Sequence, residues 1–343
     1  MMTPHASIRE AWLALTDESV LAPAQPILDA HHHLWDREES RYRTEDFIAD
    51  AGCGHDVRAS IYVQCRTGYR SSGPEALYPL GEVETILEWS AQTPNHPVGI
   101  VAFADLMQGS AVRDTLDGLL ELAPNHVCGI RNTTAYHPDP AVRSNPRPAP
   151  DGLLRSKEFH LGAAEIARAG LALDVWAYQT QLHEVEALAR LLPELTVVIN
   201  HCGGPLGVGP FRERTSADFA AWRAGIEKLA ALPNTRLKIG GFGLAVFGND
   251  YHHQPAPPDS RHLAEDWAPW FEACLDAFGP ARCMLESNFP VDKGMFSYVA
   301  LWNAFKRLTQ ALSQNDRDQL FWKTAASTYR VAFNDAVTPH VPA

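Results

Sequence analysis

Short runs of β-branched and aliphatic residues recur eight times along the chain, and the intervals between them leave room for a helix. Strands that alternate with helices in this way are typical of β/α units, whose strands form a parallel sheet. The predicted strands lie near Ile27–His31, Ala59–Gln64, Val98–Phe103, Val127–Arg131, Leu171–Trp176, Thr196–His201, Thr235–Ile239 and Arg282–Glu286. Eight such units predict a barrel of parallel strands surrounded by helices.

Amphipathic segments with apolar residues at helical spacing separate the predicted strands. These predicted helices lie at Glu82–Ser90, Ala111–Leu122, Phe159–Ala169, Leu182–Leu192, Phe219–Leu232 and Trp267–Phe278. A final helix is predicted over Asp316–Phe333, and a helical pattern runs through Ile8, Trp12 and Leu15. The predicted organisation is an N-terminal helical extension over residues 1–24 and a single α/β domain, a distorted TIM (β/α)₈ barrel, over residues 25–343.

Composition and charge narrow the classes of partner. The chain of 343 residues carries a formal net charge of -12, which argues against nucleic acid or an anionic membrane surface as a partner. The six cysteines form no CxxC pair, which favours a reduced, cytoplasmic setting, and no segment approaches the roughly 18 consecutive apolar residues of a membrane helix. No GxGxxG follows the first strand, so a dinucleotide fold is not favoured. A small molecule is the expected partner, and homo-oligomer formation stays open.

Three consecutive histidines follow the apolar residues of the first predicted strand. Side chains two residues apart in a strand point to the same side, so His31 and His33 converge while His32 faces away. The run lies inside the chain, between an apolar strand and Leu34, which argues against an expression tag. We therefore expect His31 and His33 to form a metal site or a proton-transfer site.

A third imidazole comes from His201, at the end of the sixth predicted strand. Three neutral imidazoles can hold a divalent ion, zinc or manganese, and leave one position for a reactive water. In a metal-free alternative, one histidine polarises the substrate carbonyl while the others maintain its orientation. A further interpretation makes His201 only a hydrogen-bonded residue at a strand end.

The eighth predicted strand leads into Glu286 and Asn288, which alternation places on one side, facing the histidine pair. A carboxylate inside a barrel is costly unless it is paired or coordinates an ion, so Glu286 is a ligand, a base or half of an ion pair. Lys238 on the seventh strand is the expected partner for such a pair and a candidate for substrate binding. If the two groups only neutralise each other, the pair is structural.

Further polar and aromatic residues follow the strands on the face where such barrels carry their chemistry. Arg131, at the end of the fourth strand, is suited to bind a carboxylate or an oxyanion through two guanidinium nitrogens. The other substrate-binding candidates are Gln64, Arg66, Tyr136 and Trp176. Long loops rich in glycine and proline, such as residues 145–152, are expected to shape a ligand pocket unless they are surface decoration.

In this order, the motifs resemble the amidohydrolase superfamily, in particular its lactonases, which include 2-pyrone-4,6-dicarboxylate lactonases and sugar-acid lactonases. The resemblance covers nearly the whole chain after Gln25. It rests on Asp-Ala-His-His-His-Leu-Trp, Gly-Ile-Arg, Asn-His-Cys-Gly-Gly-Pro, Leu-Lys-Ile-Gly-Gly and Ser-Asn-Phe-Pro-Val. It implies a distorted (β/α)₈ barrel that hydrolyses a cyclic ester, with His31, His33 and His201 at the centre and Arg131 recognising an anionic substrate. Some such lactonases use a divalent metal and others use none.

One position departs from the pattern of these lactonases. Their base is an aspartate where this chain has Asn288, and an asparagine cannot accept a proton at neutral pH. A replacement carboxylate is then required, and the candidates are Glu286 and Asp292, of which Glu286 points toward the histidines. The loss of one anionic ligand also weakens a metal site.

Three functions stay open at this point. The first is hydrolysis of a small carboxylated cyclic ester or amide, in which the histidines activate water or polarise the carbonyl. The second is metal-dependent decarboxylation of an aromatic acid, a reaction of other members of the superfamily, which would release carbon dioxide. The third is a non-catalytic barrel that binds a small molecule and has lost its base.

Overall fold

A computed structural model describes residues 5–38, 40–93, 96, 98–145 and 147–333 of the chain. Its main sheet has eight parallel strands, paired in the order in which they follow one another in the sequence. These strands are β1 (Pro26–His32), β4 (Asp56–Val63), β5 (Val98–Ala102), β6 (Val127–Thr133), β7 (Ala172–Trp176), β8 (Val197–Ile199), β9 (Thr235–Ile239) and β10 (Cys283–Leu285). A short hairpin, β2 (Trp35–Arg37) and β3 (Ser40–Tyr42), follows β1. Pro146 of the predicted loop and residues 1–4 and 334–343 of the predicted domains lie outside the described residues.

The sheet closes into a barrel just beyond the end of β10. The backbone N–H of Asn288 donates to the carbonyl of His31 at 2.9 Å, and the N–H of His33 donates to the carbonyl of Phe289 at 2.7 Å. The predicted barrel of eight strands is therefore confirmed. Because closure uses the end of β1 and the residues that follow β10, it brings the histidine run and Asn288 side by side.

Eleven helices are assigned within the described residues, and most of them cover the outside of the barrel. They are α1 (Glu10–Leu13), α2 (Thr44–Ala51), α3 (Leu80–Ser90), α4 (Arg113–Leu122), α5 (Lys157–Arg168), α6 (Leu182–Leu191), α7 (Ser216–Ala230), α8 (Ser260–Phe278), α9 (Tyr298–Leu308), α10 (Gln314–Asp318) and α11 (Thr324–Tyr329). Capping side chains fix where several of these helices begin. Asp259, for example, accepts hydrogen bonds from backbone amides in the first turn of α8. None of the helices in this part of the chain combines the length and apolar character of a membrane span.

The last predicted helix, over Asp316–Phe333, is wrong in extent. A π-helical turn at Gln319–Lys323 separates α10 from α11, and α11 ends at Tyr329 because Arg330 adopts a left-handed conformation with φ of 54°. The hydroxyl of Tyr329 donates to Asp174 inside the barrel at 2.7 Å, and the two groups are buried. This tertiary contact, which periodicity does not register, fixes where the final helix stops.

Apolar side chains fill two separate spaces. One group inside the barrel includes Leu28, Ile61 and Met284, and Tyr329 of α11 packs against it from below. The larger group lies between the barrel and the helices around it. The lower part of the barrel interior is therefore a packed core, which leaves the opposite end, where the strands terminate, for a site.

Candidate active site

The histidine run splits at the end of β1, where the pairing with β4 shifts register. His31 and His33 turn inward, and their Nε2 atoms lie 3.2 Å apart. His32 points to the other side, where its ring stacks on Phe47 and its Nε2 lies 3.0 Å from the Ser60 hydroxyl. The structure thus brings two imidazoles together and assigns His32 to packing outside the barrel.

The hydrogen-bond partners of these two imidazoles fix which nitrogen carries the proton. His33 Nδ1 lies 2.7 Å from the carbonyl of Val63, which can only accept, so this nitrogen donates. The Nε2 of His31 lies 3.3 Å from a guanidinium nitrogen of Arg131, which can only donate. Burial, reinforced by nearby positive charge, lowers the pKa of each imidazole well below its usual value. Two neutral imidazoles therefore direct their Nε2 lone pairs at one point, which favours a cation or a proton donor there.

His201 stands opposite this pair, two residues beyond the end of β8. Its Nδ1 donates to Oε1 of Glu286 at 2.7 Å, and its backbone N–H points to the same oxygen at 3.2 Å. The ring is almost buried. The Trp176 indole packs nearly perpendicular to it with the ring centroids 4.8 Å apart, and the tilted ring of His31 lies at 4.7 Å. With Nδ1 committed to Glu286, the Nε2 of His201 is the nitrogen left for chemistry.

Two glycines after β9 make room for this pair. A Cβ atom on Gly240 would lie 2.4 Å from Cγ of Glu286, and one on Gly241 would lie 2.7 Å from the His201 ring. Gly241 also has a φ of +70°, a conformation that side chains rarely adopt. The Leu-Lys-Ile-Gly-Gly sequence therefore serves the site by letting β9 approach the His201–Glu286 pair closely.

The alternative that pairs Glu286 with Lys238 is wrong. Glu286 Oε2 lies 3.0 Å from His31 Nδ1, whereas the Lys238 ammonium lies 2.8 Å from a carboxylate oxygen of Asp174. Lys238 is opposite Met284 in the sheet, two residues before Glu286, and so lies one layer deeper in the barrel. It is fully buried and is not among the residues that line the cavity described below.

Asn288 and Asp292 form a second polar pair next to the histidines. Nδ2 of Asn288 donates to Oδ1 of Asp292 at 2.8 Å, and Oδ2 of Asp292 accepts from the backbone N–H of Gly243 at 3.0 Å. Asp292 is fully buried, and burial raises the pKa of its carboxyl well above the usual value, with a further contribution from the charge of Glu286. Asp292 therefore holds Asn288 in place and does not itself reach the cavity.

A cavity of about 320 Å³ opens above these groups. The predicted site residues on its wall are His33, Gln64, Arg66, Arg131, Trp176, His201 and Asn288. Those that do not line it are His31, Glu286, Asp292, Lys238 and Tyr136, of which the first three lie directly behind the wall. Tyr136 instead donates its backbone N–H to Gln181 at 2.9 Å. Arginine dominates the charge of the wall, and no described carboxylate lines it.

A model of the amidohydrolase family matches residues 28–331, nearly the whole of the barrel. The chain belongs to this family. It is 33% identical to protein y4mH of Sinorhizobium fredii over 327 residues, which cover 89% of this chain and 98% of that protein. It is 27% identical to an L-fucono-1,5-lactonase of Burkholderia multivorans over 321 residues, which cover 88% of this chain and 95% of that enzyme.

A crystal structure of an amidohydrolase from Burkholderia multivorans with bound zinc superposes on the chain with a TM-score of 0.68. The match covers 89% of this chain and 99% of the other at 23% identity, so it shows a shared fold. The resemblance to lactonases of the amidohydrolase superfamily, the barrel fold and the assignment as a hydrolase are confirmed by these comparisons together.

The donor atoms of this amidohydrolase fit a divalent cation. His31, His201 and Glu286 can each offer one ligand atom within 4.8 Å of the others, and all three residues are buried. Oε2 of Glu286 and Nδ1 of His31 lie 3.0 Å from each other, and neither has another hydrogen-bond partner in the described part of the chain. Imidazole nitrogens and a carboxylate oxygen are donor atoms that zinc binds in proteins. The sequence proposes a different trio, with His33 in the place of Glu286.

Ten residues on the cavity wall are absent from the predicted set, and four of them, His5, Trp35, Arg37 and Arg147, carry cationic or aromatic side chains. Two of them have a signal in the sequence, because Trp35 and Arg37 continue the period-2 alternation of His31 and His33. The indole of Trp35 packs parallel to the His33 ring at 6.3 Å, and the Arg37 guanidinium lies over that indole at 4.4 Å. His5 has no such signal, since a long-range contact brings it to the site.

Proposed function

We propose that this amidohydrolase hydrolyses a small lactone that carries a carboxylate. The observation that carries the proposal is the buried Glu286–His201 pair at the floor of a cavity whose described wall contains four arginines and no carboxylate. A base at the floor suits the activation of water, and a cationic wall suits an anionic substrate. The relationship to an L-fucono-1,5-lactonase supports lactone hydrolysis in general. The carboxylate on the proposed substrate is inferred from the arginines of this chain's cavity wall.

We assign the role of base to His201, acting with Glu286. Its Nε2 takes a proton from water as the oxygen attacks the lactone carbonyl, while Glu286 holds the Nδ1 proton and stabilises the imidazolium that forms. The ring C–O bond then breaks, and the leaving alkoxide receives the proton from His201, which gives a hydroxy acid. Glu286 thus replaces the missing aspartate through His201, because it lies behind the wall and does not face the substrate itself.

Asn288 and Arg131 complete the reacting groups in this proposal. Since Nδ2 of Asn288 donates to Asp292, its carbonyl oxygen is left to accept a hydrogen bond from the attacking water. Arg131 donates to the Gln64 carbonyl at 2.5 Å and points a second nitrogen at His31 Nε2. From this position its charge stabilises the oxyanion that develops on the carbonyl.

The remaining arginines provide for recognition of the substrate's carboxylate. Arg37, Arg66 and Arg147 lie on the wall of the same cavity, and each is exposed to solvent. Guanidinium groups bind carboxylates through two parallel hydrogen bonds, which fixes orientation as well as charge. Gln64 and Trp176 supply a polar edge and a flat apolar surface at the same level.

A divalent ion, if bound, would be held by His31, His201 and Glu286, with His33 beside them. Zinc or manganese at this position would polarise the carbonyl and acidify water. The roles of Arg131 and Asn288 in orienting substrate and water do not depend on that ion. A cytoplasmic location and assembly into a homo-oligomer stay predictions.

The test is a set of carboxylated and neutral lactones, assayed by proton release for the wild-type chain and the His201→Gln and Arg131→Met variants. We expect turnover of a carboxylated lactone, loss of turnover with His201→Gln, and a higher KM for that substrate with Arg131→Met. Release of carbon dioxide from an aromatic acid would favour a decarboxylase. Binding of these compounds without turnover would favour a non-catalytic barrel.

A further inference from the structure

A segment outside the family match, residues 5–24, crosses the loops that follow β9 and β10. The indole N–H of Trp12 donates to the carbonyl of Gln254 at 3.0 Å, and the Thr16 hydroxyl donates to the carbonyl of Pro257 at 2.7 Å. Further along, the backbone N–H of Leu21 donates to the side chain of Asn303 at 2.7 Å. Hydrogen bonds spread over ten residues fix this segment against the barrel.

The beginning of the segment is held even more tightly. A Cβ atom on Gly294 would lie 2.3 Å from the carbonyl oxygen of Ala6, so only a glycine permits this approach. Four residues later, the Glu10 carboxylate lies 3.0 Å from the Lys293 ammonium. The position of Ala6 fixes the residue before it, and that residue is His5.

His5 lies on the wall of the catalytic cavity, which it shares with His33 and His201. Its ring packs at 5.8 Å from the Trp35 indole, which also contacts the His33 ring and the Arg37 guanidinium. His5 and Arg37 lie at the same end of the cavity, because both contact the Trp35 indole. Burial and the charge of Arg37 lower the pKa of His5. A neutral imidazole beside a guanidinium provides an additional hydrogen-bond donor to an anion held there.

We propose that His5 is a substrate-binding residue, which donates a hydrogen bond to an oxygen of the anionic substrate next to Arg37. The inference deepens the proposed function and rests on it. It makes residues 5–24 part of the active site although the family match begins only at residue 28. His5 faces the end of the cavity near Arg37, whereas Glu286 lies behind the wall with His201, so His5 acts on binding and leaves the proton transfer unchanged.

The test measures binding of citrate, a small tricarboxylate, by calorimetry, together with KM and kcat for a carboxylated lactone. His5→Ala should weaken citrate binding and raise KM by about tenfold, the effect of one hydrogen bond to a charged group, while kcat stays within about twofold. His5→Gln, which keeps a donor, should restore most of the affinity. His183→Ala, which removes an exposed imidazole of α6 away from the cavity wall, should leave both constants unchanged.

Gly294→Ala gives an independent result, because it displaces Ala6, and with it His5, without substituting any residue of the wall. It should raise KM in the same direction as His5→Ala. Equal citrate affinity and KM in the wild-type chain and in His5→Ala would overturn the inference alone. Failure of the wild-type chain to bind citrate, together with turnover of neutral lactones only, would overturn the proposed substrate class and this inference with it.

Discussion

The carboxylate of Glu286 accepts a hydrogen bond from Nδ1 of His201 at 2.7 Å, and Glu286 is fully buried. A buried carboxylate that holds one imidazole nitrogen determines which nitrogen faces the substrate and stabilises the charged ring after proton transfer. The sequence places Glu286 two residues before Asn288, where the resemblance implies an aspartate as base. A carboxylate is therefore still present next to the histidines, in contact with His201.

Replacing Glu286 by glutamine should lower kcat by about 10² to 10⁴-fold with little change in KM, since the base loses its anionic partner while the wall stays the same. Steady-state kinetics on the lactone found in the substrate screen would measure this. Glu184→Gln is the matched control, because Glu184 is also buried but pairs with Arg155 on the outside of the barrel. A Glu286→Gln variant with full kcat would show that the pair is only structural.

Gly241→Ala should lower kcat by about 10²-fold, because a displacement of a catalytic group by about 1 Å has effects of this size. The added Cβ would lie 2.7 Å from the His201 ring and would push it away from its position above Glu286. Gly279→Ala provides the control, since Gly279 has a φ of +68° against +70° at Gly241 and nothing within 4 Å of an added Cβ. Both variants place an alanine at a positive φ, so equal losses of kcat would contradict a role for the close approach.

Lys238→Met should reduce the free energy of unfolding by about 3 to 5 kcal/mol, because it leaves the fully buried carboxylate of Asp174 without its cation. KM should not change, since Lys238 does not line the cavity. The double variant Lys238→Met, Asp174→Leu should regain much of the stability, which urea unfolding would show. A higher KM at unchanged stability would instead support the prediction that Lys238 binds substrate.

Sequence periodicity was sufficient to predict the barrel and part of the candidate site. β-branched runs mark all eight strands, and alternation explains why His31 and His33 meet while His32 faces Phe47. The partner of Lys238 could not be found in this way, because strands in a barrel are staggered and residues at equal positions in two strands lie in different layers. Alternation alone does not show that Lys238 is level with Asp174 and below Glu286.

The position of His5 could not be predicted from the sequence. Contacts between irregular segments, including the approach of Ala6 to Gly294, bring this residue to the site although it is far from the other site residues along the chain. Such contacts depend on the shapes of two loops, which have no periodic signature. The end of α11 has the same origin, since this helix ends at Tyr329, whose hydroxyl donates to Asp174. In each case a tertiary contact, and not local propensity, sets the position.

Acidification should destabilise the protein through His55, which lies far from the cavity beneath α9. Burial and the Lys306 ammonium, 2.7 Å from its Nδ1, lower the pKa of His55 from 6.5 to about 3. Between these pH values the unfolded chain binds a proton that the folded chain does not. The contribution of His55 to the free energy of unfolding is therefore highest above pH 6.5 and decreases as the pH falls toward 3. Relative to His55→Gln, which keeps an acceptor for Lys306 but does not titrate, the wild-type chain should lose about 2 kcal/mol between about pH 7 and about pH 4.5. Urea unfolding of both proteins at the two pH values measures this difference, and parallel losses in the two would show that His55 is not the titrating group.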